Sequence, residues 1–368
     1  MLLKQNNTFT IIMMKNINKI SITGMSLDEL KSFCKIMDEP DYRAKQILSW
    51  IYKKRATTFE NMSNLPKKLR EKLGKSCQAF QTEVENRIQT IDGTEKFLVR
   101  LYDGNIIESV LLREEKRITA CISTQVGCAM ACRFCASGQL GLERNLTTGE
   151  IIEQTLHMKN RLMPHERLSN IVFMGIGEPL ANYDNLVKSL SIINADWGLE
   201  ISVRHITVST VGMVNRIRQL AEEGFKVNLA ISLHAPDDST RSKIIPSNKK
   251  TGITNILSAA QEYFQKTHRD ISFEYILIDG INSSKTHANA LARLLKDIQS
   301  NINILPLNPV KECNLRPPEQ EKIEMFCKIL QKHGLVVTLR RKKGDNVNAA
   351  CGQLRLQKYK YLREKGCV

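Results

Sequence analysis

The chain has 368 residues, of which 42% are hydrophobic and 25% charged, with ten cysteines and a formal net charge of +16. These values exclude wholesale disorder, allow a full-sized core plus an accessory domain, and include no run of about eighteen apolar residues that would span a membrane. Ten cysteines in so long a chain, three of them crowded together, do not describe an extracellular disulfide framework, so a reducing cytoplasm is expected.

The charge is segregated. Residues 1–80 hold 15 Lys/Arg against 7 Asp/Glu, residues 332–368 hold 10 against 2, and the stretch between them holds 29 of each sign. A neutral body with two basic ends suits a polyanion gripped through its phosphates, although any single basic run is equally a solvated face.

In chain order, residues 1–21 lack an uninterrupted apolar core and a cleavage site and read as a loose tail. Residues 22–84 read as a small helical accessory domain. Ser26 caps one helix, residues 41–54 show helical apolar spacing, and Pro66 opens a third helix. Lys53, Lys54, Arg55, Lys67, Lys68 and Arg70 give this domain a basic exterior. Residues 85–116 read as a short β meander with turns at Asp92-Gly93 and Asp103-Gly104. Glu108 stands in an otherwise apolar strand there, and the pattern alone makes it an outward-facing residue on a half-buried strand.

From residue 117 to 354, strands and helices alternate. The strands are expected at Ile118–Ser123, Asn170–Met174, His205–Ser209, Lys226–Leu233, Ile271–Ile278, Asn303–Pro306 and Val336–Leu339, with helices between them. Such alternation means parallel strands with crossover helices, which in six units suits a partial (β/α)6 barrel whose chemistry gathers at the strand ends. A basic tail, 355–368, follows.

The first of these strands runs into Cys128-Ala129-Met130-Ala131-Cys132-Arg133-Phe134-Cys135. Three thiolates at CxxxCxxC spacing suit an iron–sulfur cluster that keeps one iron open. A structural zinc site, which takes four N/S ligands, and plain buried thiols are the competing readings. The later strands end in small polar groups: Gly175-Ile176-Gly177-Glu178-Pro179, Ser209, Ser232-Leu233-His234 and Asn308. Singly these are turns and caps, but together they describe a cofactor pocket on one face. Cys351 follows the basic run Arg340-Arg341-Lys342-Lys343 in a small-residue loop, either as a buried thiol or as a nucleophile of lowered pKa.

The cysteine motif after a first strand, with a glycine-rich second strand end, resembles the radical S-adenosylmethionine (SAM) superfamily. From about Asp41 to Leu354 the chain resembles more narrowly the RlmN/Cfr family of RNA methyltransferases. The matching segments are Arg43-Ala44-Lys45-Gln46-Ile47, Val126 through Cys135, Arg144-Asn145-Leu146-Thr147, Phe173 through Leu180, Ser232 through Pro236, and Ala350-Cys351-Gly352-Gln353-Leu354.

The resemblance implies a [4Fe–4S] cluster on Cys128, Cys132 and Cys135, with SAM lined by Gly177, Glu178, Ser209, Ser232, Leu233, His234 and Asn308. It implies that Cys351 accepts a methyl group from one SAM and that a second SAM supplies the radical. Cys121 would then release the product through a transient disulfide with Cys351, and Glu108 would act as proton acceptor. The implied substrates are an adenosine of the peptidyl-transferase centre in 23S rRNA and the adenosine 3′ to the anticodon in tRNA. The protein would act as a monomer fed by an external electron donor. Pro179 looks RlmN-like, favouring carbon 2 over the Cfr-type carbon 8, and Ile176 departs conservatively from the family's usual Met. A non-catalytic zinc-bearing RNA-binding protein is the remaining alternative.

Overall fold

A computed structural model describes residues 19–139, 141–308 and 314–340. Cys351, most of the N-terminal tail, the run Arg341-Lys342-Lys343 and the basic C-terminal tail lie outside them. The N-terminal module comprises β1 (Ile20–Ser21), α1 (Leu27–Ile36), α2 (Tyr42–Tyr52), α3 (Lys67–Ser76) and β2 (Cys77–Gln78), with β1 and β2 paired in parallel. Ser26 caps α1 as expected, within a capping box whose other half is Glu29. Leu30, Phe33, Ile47, Leu48, Ile51, Leu69 and Leu73 are buried, so each short helix gives its apolar stripe to one shared core.

A single ten-stranded sheet follows, ordered β14-β13-β12-β11-β10-β9-β6-β5-β4-β3. Strands β3 (Glu83–Gln89), β4 (Glu95–Arg100) and β5 (Ile106–Glu114) are the expected meander. It is not a separate sheet: β5 pairs antiparallel with β6 (Arg117–Cys121) and extends the barrel sheet at its edge. The parallel strands are β6, β9 (Asn170–Phe173), β10 (Ile206–Thr210), β11 (Asn228–Ser232), β12 (Ile271–Leu277), β13 (Asn301–Pro306) and β14 (Val336–Leu339). A hairpin of β7 (Gln125–Gly127) and β8 (Leu142–Asn145) brackets the cysteine loop, which includes the short helix α4 (Ala136–Gln139). The crossover helices are α5 (Thr148–Lys159), α6 (Tyr183–Asn194), α7 (Val214–Glu222), α8 (Asp238–Ile244), α9 (Ile253–Thr267), α10 (Lys285–Leu295) and α11 (Gln320–Lys332). The fold is therefore a partial (β/α)6 barrel extended by one further parallel strand, with an accessory module at its N-terminus.

Alternation along the strands separates two faces. Ile171, Phe173, Ile206, Val208, Leu229, Ile231, Phe273, Ile302 and Ile304 are fully buried and share one core with Leu186, Leu190, Ile217, Leu220, Ile256 and Leu291 of the helices. Cross-strand partners share a face, so register defines the other side. Lys96 pairs with Val110, Leu98 with Glu108, Val110 with Cys121, Cys121 with Val172, and Val172 with Thr207. Ser209 then pairs with Ala230, Ser232 with Glu274, Glu274 with Asn303, and Asn303 with Thr338. This second face is polar across most of the sheet.

The module docks on α5. Buried Glu153 accepts from Thr23 Oγ1 at 2.5 Å, Thr82 Oγ1 at 2.7 Å, and the amides of Thr82 and Gln81 at 2.8 and 2.9 Å. A Cβ on Gly24 would sit 2.7 Å from the Gly149 amide nitrogen, so the first turn of α5 requires glycine there.

Candidate active site at the strand ends

The cysteine loop leaves β7 through Gly127, whose φ of +82° only glycine adopts without strain, and a Cβ there would lie 1.9 Å from the Gly141 carbonyl. The Cys128 amide donates to that carbonyl at 2.8 Å, the Cys135 amide to Cys132 O at 3.1 Å, and the Gly138 amide to Cys135 O at 3.2 Å. The backbone thus curls around the three thiols, of which Cys128 is buried and Cys132 and Cys135 half-buried. Burial pushes the Cys128 thiol up to about 11. Burial and then the neighbouring Cys135 and Cys128 sulfurs push Cys132 higher still, with Arg241 opposing. Thiols so placed ionise when a metal supplies positive charge. Among the described residues no three His, Cys, Asp or Glu side chains converge on a single metal ion. A structural zinc site takes four N/S donors around one centre, whereas a four-iron cluster with one open iron takes three thiolates on separate irons, and the three thiols of this loop fit that donor set.

The glycines after β9 answer first to the protein. A Cβ on Gly175 would meet Ser123 Oγ at 2.6 Å, and one on Gly177, with φ +109°, would meet Gln125 Cβ at 2.6 Å. Glu178 is buried, and burial pushes its carboxyl up to about 7, against donation from Val211, Thr210 and Leu180. Its Oε2 accepts from the Val211 amide at 2.8 Å and its Oε1 from Leu180 at 3.1 Å. Its own amide donates to Gln125 Oε1 at 2.8 Å. The side chain therefore ties the end of β9 to the end of β10, and the Gly177-Glu178 backbone forms the rim.

Ser209 and Ser232 lie on the polar face. Leu233 is buried in the core. His234 takes a left-handed φ of +59°, accepts from the Ile276 amide through Nδ1 at 3.0 Å, and meets the Phe134 ring edge-on at 4.9 Å. Burial and then Arg241 push it down to about 3, so its imidazole is neutral. Asn308 is half-buried just beyond β13.

Glu108 does not face outward, as the strand pattern suggested: it is 1% exposed and its Oε2 lies 3.2 Å from buried Lys96 Nζ. The Ser123 hydroxyl donates to the Glu108 carbonyl at 2.6 Å and accepts from the Ile176 amide at 2.8 Å, joining β5 to the glycine-rich turn. Cys121, buried at the end of β6, shares the face of Glu108. Sequence reasoning missed Lys96, Gln125, Arg241 and the pair Glu274–Asn303, joined at 2.7 Å. Glu274 carried the signal that singled out Glu108, a carboxylate inside an apolar strand.

Comparison with known proteins decides the family. Residues 20–79 match the family model of the ribosomal RNA large subunit methyltransferase N-terminal domain, and 122–290 that of the radical SAM superfamily. A probable dual-specificity RNA methyltransferase RlmN of Lachnoclostridium phytofermentans is 46% identical over 338 residues, 92% of this chain and 94% of the relative. One of Rhodopirellula baltica is 47% identical, over 92% of this chain and 91% of its own. The chain belongs to the RlmN family of radical SAM RNA methyltransferases. The crystal structure of a radical SAM methyltransferase from Sphaerobacter thermophilus superposes with a TM-score of 0.88 at 40% identity, covering 91% of this chain and 98% of that one. Membership implies a [4Fe–4S] cluster and SAM. No helix among the described residues is long and apolar enough to cross a membrane.

Proposed function

We propose that this chain methylates carbon 2 of adenosine in 23S rRNA, at the peptidyl-transferase centre, and in tRNA, 3′ to the anticodon, through an S-methylcysteine at Cys351. The dual-specificity RlmN relatives and Pro179 support carbon 2, and such substrates belong to the cytoplasm. The observation that carries the reading is the register of the sheet. Glu108 and Cys121, far in sequence from Ser209 and Ser232, share their polar face.

In this reading Cys128, Cys132 and Cys135 hold the cluster, and the Gly177-Glu178 rim, Ser209, Ser232, Leu233, His234 and Asn308 surround SAM. Cluster and SAM, fed by an external one-electron donor, supply a hydrogen-abstracting radical. The protein supplies the rest. Ring carbon 2 of adenine is electron-poor and does not displace a methyl group from SAM, whereas the Cys351 thiolate does: its sulfur gains the methyl group and the sulfonium sulfur of SAM leaves as a neutral thioether. Once the S-methylene carbon, stripped of one hydrogen by that radical, has bonded to ring carbon 2, Glu108 would take the ring proton and the unpaired electron would pass back to the cluster. Cys121 would then attack the Cys351 sulfur: the carbon–sulfur bond breaks as the disulfide forms, and its electron pair stays on the methylene carbon, which takes a proton to become the methyl group. Two SAM molecules are consumed per turnover.

The test is anaerobic reaction of reconstituted protein with SAM and tRNA or an rRNA fragment, followed by mass spectrometry of the nucleosides. 2-Methyladenosine is expected. 8-Methyladenosine, or unmodified adenosine from protein with a full iron complement, would overturn the proposal.

A further inference from the structure

Helix α8, the short helix that precedes α9 between β11 and β12, carries Arg241, which is 1% exposed. Its Nε donates to the Leu233 carbonyl at 2.9 Å, and its Nη2 donates to Val211 O at 2.6 Å and Ser232 O at 2.9 Å. Nη1 donates to Asn248 Oδ1 at 2.5 Å. Asn248 is in turn oriented by donating from Nδ2 to Asp238 Oδ1 at 2.9 Å. One guanidinium thus closes the ends of β10 and β11, using the fork of donors that only arginine has. The same helix meets the cysteine loop. The Arg133 amide donates to Ile244 O at 2.9 Å, and Cys132 and Phe134 pack against the small core of Ile244, Ile245, Ile278 and Leu307.

The charge is the second observation. Among the described residues no carboxylate bonds to this guanidinium; its partners are carbonyl oxygens and a neutral amide. A buried cation held only by neutral groups is costly, and the cost falls when an anion lies alongside. Cys132 packs against the small core to which Ile244, three residues along the same helix, contributes. A cluster held by three thiolates is anionic and becomes more so on reduction.

We propose that Arg241 is a positioning residue: it locks the ends of β10 and β11 to the cysteine loop and provides the buried positive charge against which the cluster is reduced. The role rests on the radical SAM assignment. The external donor gives one electron, the cluster gains one unit of negative charge, and the guanidinium stabilises that charge without a proton moving.

The experiment compares full-length Arg241→Gln and Arg241→Lys with wild type after anaerobic reconstitution to equal iron content. The midpoint potential is read by electron paramagnetic resonance during dithionite titration. SAM affinity is read from the change SAM makes in the reduced-cluster spectrum. Arg241→Gln should shift the potential negative and weaken SAM about tenfold or more, because three strand-end carbonyls lose their donor. Arg241→Lys keeps the charge without the fork, so its potential should stay near wild type while SAM still binds weakly. A merely structural residue would lower the melting temperature of both variants without separating their potentials. Wild-type potential and SAM affinity in Arg241→Gln would overturn the role; if that variant does not fold, wild-type SAM affinity in Arg241→Lys would do so. A wild-type protein that assembles no cluster would overturn the underlying assignment instead.

Discussion

Two regions of this molecule are built around buried carboxylates, and they use them differently. At the dock between the N-terminal module and α5, Glu153 is surrounded by hydroxyls and amides from Thr23, Gln81 and Thr82, every one of them from the docked segment. At the site face, Glu108 is paired with an ammonium, Lys96, and Glu178 joins one strand end to the next. A carboxylate saturated by neutral donors from a neighbouring segment is a fastening. One set against a cation on the polar face of a sheet is available for chemistry. The difference teaches that burial of a charge does not identify a site by itself; the identity of the partners does.

The sharpest break in the comparison is expected at the cysteine loop. Cys132→Ala should abolish iron uptake and methyl transfer, a loss of at least about a thousandfold in rate, while the circular dichroism spectrum and melting temperature move little. Next come the two thiols of the proposed release step. Cys121→Ala should stall as a covalent protein–RNA adduct, resolved by denaturing electrophoresis, because the thiol that would release it is gone, and Cys351→Ala should form none. Runoff of methylated RNA from Cys121→Ala without any adduct would remove Cys121 from the release step.

The dock should respond in the opposite sense, through stability before activity. Glu153→Ala leaves Thr23, Thr82 and two amides without their acceptor, at about 3 kcal/mol. The pH dependence adds a signature. Burial raises this carboxyl from 4.5 to about 7 in the folded protein, against the hydrogen bonds that oppose it. The folded state therefore binds the proton more tightly, and the group's stabilisation is full below pH 4.5 and lost as pH rises through about 7. The difference in unfolding free energy between wild type and Glu153→Ala should accordingly shrink from pH 4.5 to 7. A difference that grows over that interval would show that Glu153 is held as the carboxylate. Gly24→Val tests the same dock sterically, and its added side chain should push the segment from Gly149 and lower the melting temperature.

Much of this was legible in the sequence, for identifiable reasons. The parallel strands were readable because short apolar runs alternate with helical segments along the chain, and the N-terminal helix because its cap and apolar period agree, as at Ser26. The cysteine loop was readable because its chemistry is local. Lys96, Gln125 and Arg241 were not, because their roles exist only after distant segments meet: Gln125 bonds to Glu178, and Arg241 to carbonyls of two strands. Glu108 was misjudged on pattern alone, since alternation states which residues share a face but not whether that face sees water. The meander's junction with β6 was invisible for a similar reason, as pairing depends on register between segments and not on either segment's composition.

The smallest expected effect concerns RNA grip, and the structure narrows which residues can report it. Of the basic group first noted in the N-terminal module, Arg55 donates to Leu162 O at 2.8 Å and Arg70 to Glu60 O at 2.7 Å, so their replacement would confound binding with packing. Lys53, Lys54, Lys67 and Lys68 are exposed. Lys53 forms only a surface ion pair with Glu200, and Lys54 lies 4.0 Å over the Trp50 ring. Replacing Lys67 and Lys68 together with glutamine should leave stability and SAM cleavage unchanged. It should weaken tRNA binding, and the plot of log affinity against log salt should flatten by about two units if both lysines touch phosphates. An unchanged slope with unchanged affinity would remove α3 from the RNA surface and leave the module as a dock alone.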